Sequence, residues 1–299
     1  MEPIAAFLHY LKFERRYSSH TLEAYRSDLL QFESFLHEEG LDRETALAEA
    51  DAGLVRAWLM KLMESGITAR SVNRKITALK AFYKLSVQNG RLNQNPMLKV
   101  VSPKVPKRLP EYVEASKLDQ LLDNVEFGDD YDGVLTKLIL ELFYGTGMRR
   151  AELIGLKLSD WEAGTQQLRV TGKRNKQRIV PVFPNLAQLL QQYMSFRVQI
   201  QTQSENLLLR SDGSALYPEW VYRLVKKHLS IVSTQKKRSP HVLRHSFATE
   251  MLNNGADLNA IKEVLGHANL SATQVYTHNS FEKLRSTYTK AHPRGTRKD

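Results

Sequence analysis

The chain has 299 residues, 42% hydrophobic and 25% charged, the composition of a soluble globular protein, and its length suggests two domains. A net charge of +11 and a pI of about 9.6 favour a polyanionic partner such as nucleic acid. Zero cysteines exclude a disulfide framework, a thiolate zinc site and a cysteine nucleophile, and no apolar run nears the ~18 residues of a membrane span.

The start, Met-Glu-Pro-Ile-Ala-Ala, carries an early acid and no basic n-region, so no signal peptide is expected and the cytoplasm is the expected compartment. Residues 1–95 read as a small helical bundle. Thr21 to Leu36 places Leu22, Tyr25, Leu29, Phe32 and Leu36 on one apolar face. Leu54 to Met63 turns Trp58 and Leu62 inward. Ser71 to Leu85 repeats the pattern with Val72, Ile76, Leu79, Phe82 and Tyr83, while Arg70, Arg74, Lys75 and Lys80 are expected to supply charge elsewhere on that helix.

Residues 96–114 read as a linker. Pro96, Pro103, Pro106 and Pro110 favour extended chain, and Lys99, Lys104, Lys107 and Arg108 suit a strap across a phosphate backbone. Residues 115–299 form the second domain, mostly helical. Helices are expected over Leu118–Val125, Val134–Phe143, Leu186–Val198, Tyr217–Leu229 and from Pro240. Gln167–Thr171 and Arg178–Phe183 flank Gly-Lys-Arg-Asn-Lys and read as a hairpin presenting Lys173 at its turn. Pro181 and Pro184 make the second strand an edge or end it there. The fold class is therefore mainly α, with a small β-sheet or hairpin in the second domain.

Ser239-Pro240 reads as a helix start, which puts His241 and Arg244 on one face of a first turn, where free amides favour an anion. His241 and His245 have the spacing of paired zinc ligands. Arg244 lies between them and no zincin glutamate accompanies them, so no metal is expected and His245 reads as a buried structural histidine. Asp257 can cap a helix that ends at Gly266, directly before His267, and Ser271 with Gln274 forms a capping box ahead of Tyr276. Gly145 and Gly147 allow a tight turn before Arg149, and Glu152 can orient an arginine. Arg150 reads as a surface residue.

The segments Gly-Met-Arg149-Arg-Ala-Glu152-Leu, Thr-Gly-Lys173-Arg-Asn-Lys, Pro-His241-Val-Leu-Arg244-His, Leu-Gly-His267 and Thr-Gln-Val-Tyr276-Thr-His resemble, in that order, the tyrosine recombinase (phage integrase) family and its XerC/XerD group. Each motif is weak singly; as a set they are specific and the likeness runs along the whole chain. The resemblance implies a two-domain DNA clamp, with a SAM-like core-binding bundle over residues 1–95 and a catalytic domain over 115–299. It implies six catalytic residues: Arg149, Lys173, His241, Arg244, His267 and the nucleophile Tyr276, supported by Glu152. Arg70, Arg74, Lys75, Lys104, Lys107, Arg108, Arg174 and Lys176 are the candidate DNA contacts.

By the same resemblance the product is a 3′-phosphotyrosyl link, resealed by a partner strand, with no cofactor and no metal. The implied partners are a short dyad site in double-stranded DNA, a homo- or hetero-tetramer with a paralogous recombinase, and a cell-division DNA translocase, with no membrane partner. The implied role is resolution of chromosome dimers at a dif-like site. The short length, without an added arm-binding domain, leans the same way. The alternatives are the integrase of a mobile element, a type IB topoisomerase, and a non-catalytic DNA-binding protein that kept the fold. A docking tail is expected to close the chain, with Leu284 and Tyr288 as apolar anchors on a neighbouring subunit.

Overall fold

The computed structural model describes residues 3–42, 45–105, 111–172, 175–235 and 237–266, together with Ser286, Tyr288, Lys290, Ala291, His292 and Arg294. The chain divides into two compact units, Met1–Arg108 and Leu109–Asp299. Among the described residues no helix is long and apolar enough to cross a membrane.

The first unit is built from α1 (Pro3–Phe13), α2 (Ser19–Glu38), α3 (Ala46–Glu49), α4 (Ala52–Glu64) and α5 (Ala69–Gln88) around one apolar core. Local chemistry starts the long helices. Ser18 Oγ accepts the Thr21 amide, Asp51 accepts the Leu54 amide at 2.8 Å, and Thr68 Oγ1 accepts the Ser71 amide. Tyr25, Leu29, Phe32 and Leu36 of α2 and Val72, Ile76, Leu79, Phe82 and Tyr83 of α5 are buried, as are Trp58 and Leu62 of α4.

Two charged groups share that core. Asp28 is fully buried and accepts from Lys75 Nζ at 2.9 Å, and it also pairs with Arg74. Lys75 donates as well to Gln31 Oε1 at 2.5 Å, and its ammonium lies 5.8 Å from the centre of the Trp58 ring. This corrects the expectation that Lys75 contacts DNA: the side chain is 8% exposed and its charge is already matched. Arg74 is committed to the same carboxylate although it remains partly exposed, while Arg70 stands in solvent.

The first part of the proline-rich stretch is structured. Pro96–Lys99 forms a 3₁₀ turn capped by Asn95, and Met97 and Val100 are buried in the first core. Val113 is buried in the core of the second unit, where its amide donates to Ser246 Oγ at 2.8 Å. Lys104 is exposed between these anchor points.

The second unit centres on α7 (Tyr131–Thr146), buried along most of its length, with α6 (Ala115–Asn124), α9 (Pro184–Arg197), α10 (Pro218–Val232), α11 (Pro240–Asn253) and α12 (Leu258–Leu265) around it. The short α8 (Arg150–Ile154) precedes a three-stranded antiparallel sheet of order β1-β2-β3: β1 (Trp161–Glu162), β2 (Gln167–Thr171) and β3 (Gln177–Pro181). Leu168 faces Val180 and Val170 faces Arg178 across the β2–β3 pair, and Pro181 closes the edge strand.

Helix α7 ends at Gly147, whose φ of +60° suits a residue without a side chain. Packing imposes the same requirement, because a Cβ there would lie 2.6 Å from Phe247 Cδ1 and 2.8 Å from Leu265 Cδ2. The carbonyl of that turn therefore sits close against α11 and α12.

Tyr288 is buried in its own unit, its ring stacked on Phe183 at 4.7 Å, which corrects its expected role as an anchor on a neighbouring subunit. Leu284 lies outside the described residues. His292 Nε2 meets the Tyr144 carbonyl at 3.2 Å, and burial pushes its ring down to about 3, so the imidazole is neutral. Arg294 reaches Asp119 at 3.4 Å, Asp123 at 2.9 Å and the buried Glu141 at 2.9 Å.

Candidate active site

The carboxyl end of α12 is where the site is organised. A helix leaves its last carbonyls without intrahelical partners and places the negative end of its dipole there. In this chain three successive carbonyls are each taken by a different arginine. Arg178 Nε donates to Val264 O at 2.6 Å, Arg244 to Leu265 O at 2.8 Å, and Arg149 to Gly266 O at 3.4 Å. Arg244 also donates to Gly147 O at 2.5 Å, tying α11 to the end of α7. Gly266 takes φ +66° to terminate α12, and His267 is the next residue.

Glu152 supplies the matching carboxylate. Its Oε1 accepts from Arg149 at 2.6 Å, and its Oε2 accepts from the Arg149 amide at 2.9 Å and from Arg178 at 2.8 Å. Burial alone would raise this carboxyl, but the Arg178 hydrogen bond and charge, with the Arg149 contacts, outweigh it and hold Glu152 below the usual range. One carboxylate thus serves two guanidiniums while Arg244 stands beside them. Desolvation first, and then repulsion from Arg149, brings Arg244 down to about 10, so it stays charged at neutral pH. Three guanidiniums thus gather in a half-buried setting at the end of α12, an arrangement suited to the oxygens of a phosphate.

His241 occupies the first turn of α11, which starts at Pro240 with Ser239 at the cap position. Partial desolvation of the ring, then the charges of His245, Arg244, Arg150 and Arg149, lower its pKa, so the neutral form is favoured at pH 7. His245 is exposed, a correction to its expected place in the core. Four residues on from His241, it shares the solvent side of α11, whereas Leu243, Arg244 and Phe247 turn inward. Arg150 is half-buried, donates to the Pro218 carbonyl at 3.2 Å and adds to the field at His241.

The structure therefore brings together Arg149, Glu152, His241 and Arg244 from separate parts of the sequence. Lys173, Arg174, His267 and Tyr276, and the strap residues Lys107 and Arg108, lie outside the described residues. Lys176 is exposed beside Asn175, which takes φ +57° in the hairpin turn. Sequence reasoning missed Arg178, which the strand alternation places on the same buried side as Val180.

Residues 111–283 match the Phage integrase family, and residues 4–90 match the phage integrase N-terminal SAM-like domain. The chain is 38% identical to "Tyrosine recombinase XerC" of Chlorobaculum parvum, covering 96% of this chain and 93% of that protein. It is 40% identical to "Tyrosine recombinase XerC" of Pelobacter propionicus, over 98% and 96% of the two chains. In fold it is similar to the XerH site-specific recombinase bound to its difH substrate, with a TM-score of 0.70 and 22% identity over 95% of this chain and 84% of that one. With both units and the arginine site accounted for, the chain belongs to the phage integrase family of tyrosine recombinases, enzymes that break and rejoin DNA strands.

Proposed function

We propose that this protein is a Xer-type recombinase that exchanges strands at a short dyad site in double-stranded DNA, using Tyr276 as nucleophile. The observation that carries this reading is the pair Arg149 and Arg244, anchored on adjacent carbonyls at the end of α12 immediately before the segment that holds His267 and Tyr276. Two fixed guanidiniums stabilise the extra negative charge on a pentacoordinate phosphorus and cost no reorganisation at the moment of reaction. The Tyr276 oxygen attacks the phosphorus, the 5′ oxygen leaves, and Lys173 gives it a proton. His241 acts as acid–base partner and His267 hydrogen-bonds the phosphoryl oxygen. The 3′-phosphotyrosyl ester keeps the bond energy, so a partner strand's 5′-hydroxyl reverses the step with neither ATP nor metal.

At the cellular level, the likeness to XerC proteins supports resolution of chromosome dimers at a dif-like site for segregation at division. The working unit is then a tetramer on DNA, alone or with a paralogous recombinase, in the cytoplasm, in contact with a cell-division DNA translocase. Candidate DNA contacts that face solvent are Arg70, Lys104 and Lys176. Arg174, Lys107 and Arg108 complete the proposed set.

The test uses a nicked duplex carrying the site that the wild-type protein selects from a randomised pool. The nick lets the cleaved end diffuse away, so the covalent adduct accumulates. Wild type traps the adduct and Tyr276→Phe does not; an undiminished adduct with Tyr276→Phe removes this nucleophile from the account.

The neutral state of His241 sets a pH dependence. Its pKa is depressed, so the proton-accepting form is present above that value and is lost as pH falls through it. The acid limb of the second-order cleavage rate is therefore expected below the ordinary histidine value of about 6.5. His241→Gln should flatten that limb, and an unchanged limb in that variant would assign the titration to another group.

A further inference from the structure

We infer that Arg178 is a positioning residue for Arg149, acting through the carboxylate of Glu152. The inference rests on the reading of Arg149 as a phosphate-holding group and adds a residue to that machinery. Arg178 is 6% exposed, so it does not itself reach DNA. Its terminal nitrogen donates to Glu152 Oε2 at 2.8 Å, the same oxygen that accepts the Arg149 amide at 2.9 Å. The other oxygen, Oε1, takes the Arg149 side chain at 2.6 Å. With one face of the carboxylate held by Arg178, the opposite face has a single orientation in which to grip Arg149.

The surroundings are shaped for this guanidinium. A Cβ on Gly266 would lie 3.2 Å from Arg178 Nη1 and 3.3 Å from its Cδ, so the α12 turn closes directly over it. A Cβ on Gly172 would lie 3.2 Å from Glu152 Oε1 and 3.9 Å from Arg178 Nη1. Arg178 therefore fills a slot lined by two glycines, between the base of the β2–β3 hairpin and the end of α12, with Nε on the Val264 carbonyl at 2.6 Å. A lysine has one compact ammonium and cannot serve Val264 and Glu152 in the same planar arrangement.

The experiment measures single-turnover cleavage of the selected nicked duplex, DNA affinity and thermal melting for wild type, Arg178→Ala, Arg149→Lys and the double variant. Arg178→Ala should cleave on the order of 10- to 100-fold more slowly, the scale for losing a group that orients an active-site residue. DNA affinity should stay within about 3-fold, and the double variant should cleave within about 3-fold of Arg149→Lys alone, because the two losses share one route. Cleavage by Arg178→Ala near the wild-type rate, or a double-variant loss equal to the product of the single losses, would overturn the inference. Should Arg178→Ala fail to fold, Arg178→Lys keeps the positive charge beside Glu152, and a wild-type cleavage rate in that variant overturns the inference equally. Failure of the underlying reading has a different signature: Arg149→Lys itself would then cleave like wild type.

Discussion

Arg244→Ala is expected to slow single-turnover cleavage by about 100- to 1000-fold, the scale for removing one fixed donor from developing phosphoryl charge. The same substitution should lower stability, because the side chain also donates to Gly147 O at 2.5 Å and Leu265 O at 2.8 Å. Each buried carbonyl left without a donor costs about 1–3 kcal/mol. Arg244→Lys restores the charge but not the two-carbonyl fork, so it should regain part of the stability and little of the rate. Melting curves and single-turnover rates on the same preparations separate the two effects. Wild-type cleavage by Arg244→Ala would mean that the charge at the junction of α7, α11 and α12 plays no part in the chemistry.

Arg294→Ala is the substitution with the largest expected effect on stability away from the site. It removes the guanidinium from Glu141, whose side chain is 8% exposed, and from Asp119 and Asp123. Breaking a buried pair on one side costs about 3 kcal/mol, or roughly 6–12 °C in Tm for a unit of this size. Burial holds the Glu141 carboxyl above its usual value, and Arg294 pulls it partly back. The sign follows. A carboxyl with a raised folded pKa contributes stability below its unfolded value of about 4.5 and loses it as pH rises through the folded value. Without Arg294 the folded value climbs further, so the deficit should be larger at pH 7 than at pH 5. Thermal melts of both proteins across that range check this, and a pH-independent deficit would assign the loss to packing alone.

Much of the fold was legible because its signals are local. The apolar faces of α2 and α5, the cap at Asp257 and the stop at Gly266 all follow from spacing and side-chain chemistry within one or two turns. The errors at charged residues came from underusing the same periodicity. Lys75 lies three residues after Val72 and four before Leu79, and Asp28 lies three after Tyr25 and four before Phe32, so each stands on an apolar face. Two opposite charges at such positions are the pattern of a buried ion pair. His245 shares the face of His241 by the same rule, and that face is the exposed one.

The arginine cluster was legible only in part. Arg149, Glu152 and Arg244 stand in recognisable segments, but their mutual placement depends on Gly147 O and the last carbonyls of α12, which are brought together over long separations in sequence. The strand alternation puts Arg178 on the buried side with Val180, but no local pattern announces that its partner there is Glu152. The cradle that a phosphate would enter is a tertiary object, and its members carry no common period.

The most direct test of the central claim is the identity of the protein–DNA bond. The covalent complex formed on the nicked duplex is digested with protease and nuclease, and the nucleotide-bearing peptide is sequenced by mass spectrometry. The account predicts a single modified peptide in which Tyr276 carries the 3′-phosphate of the cleaved strand. A bond to any other side chain, or one made through a 5′-phosphate, would contradict it.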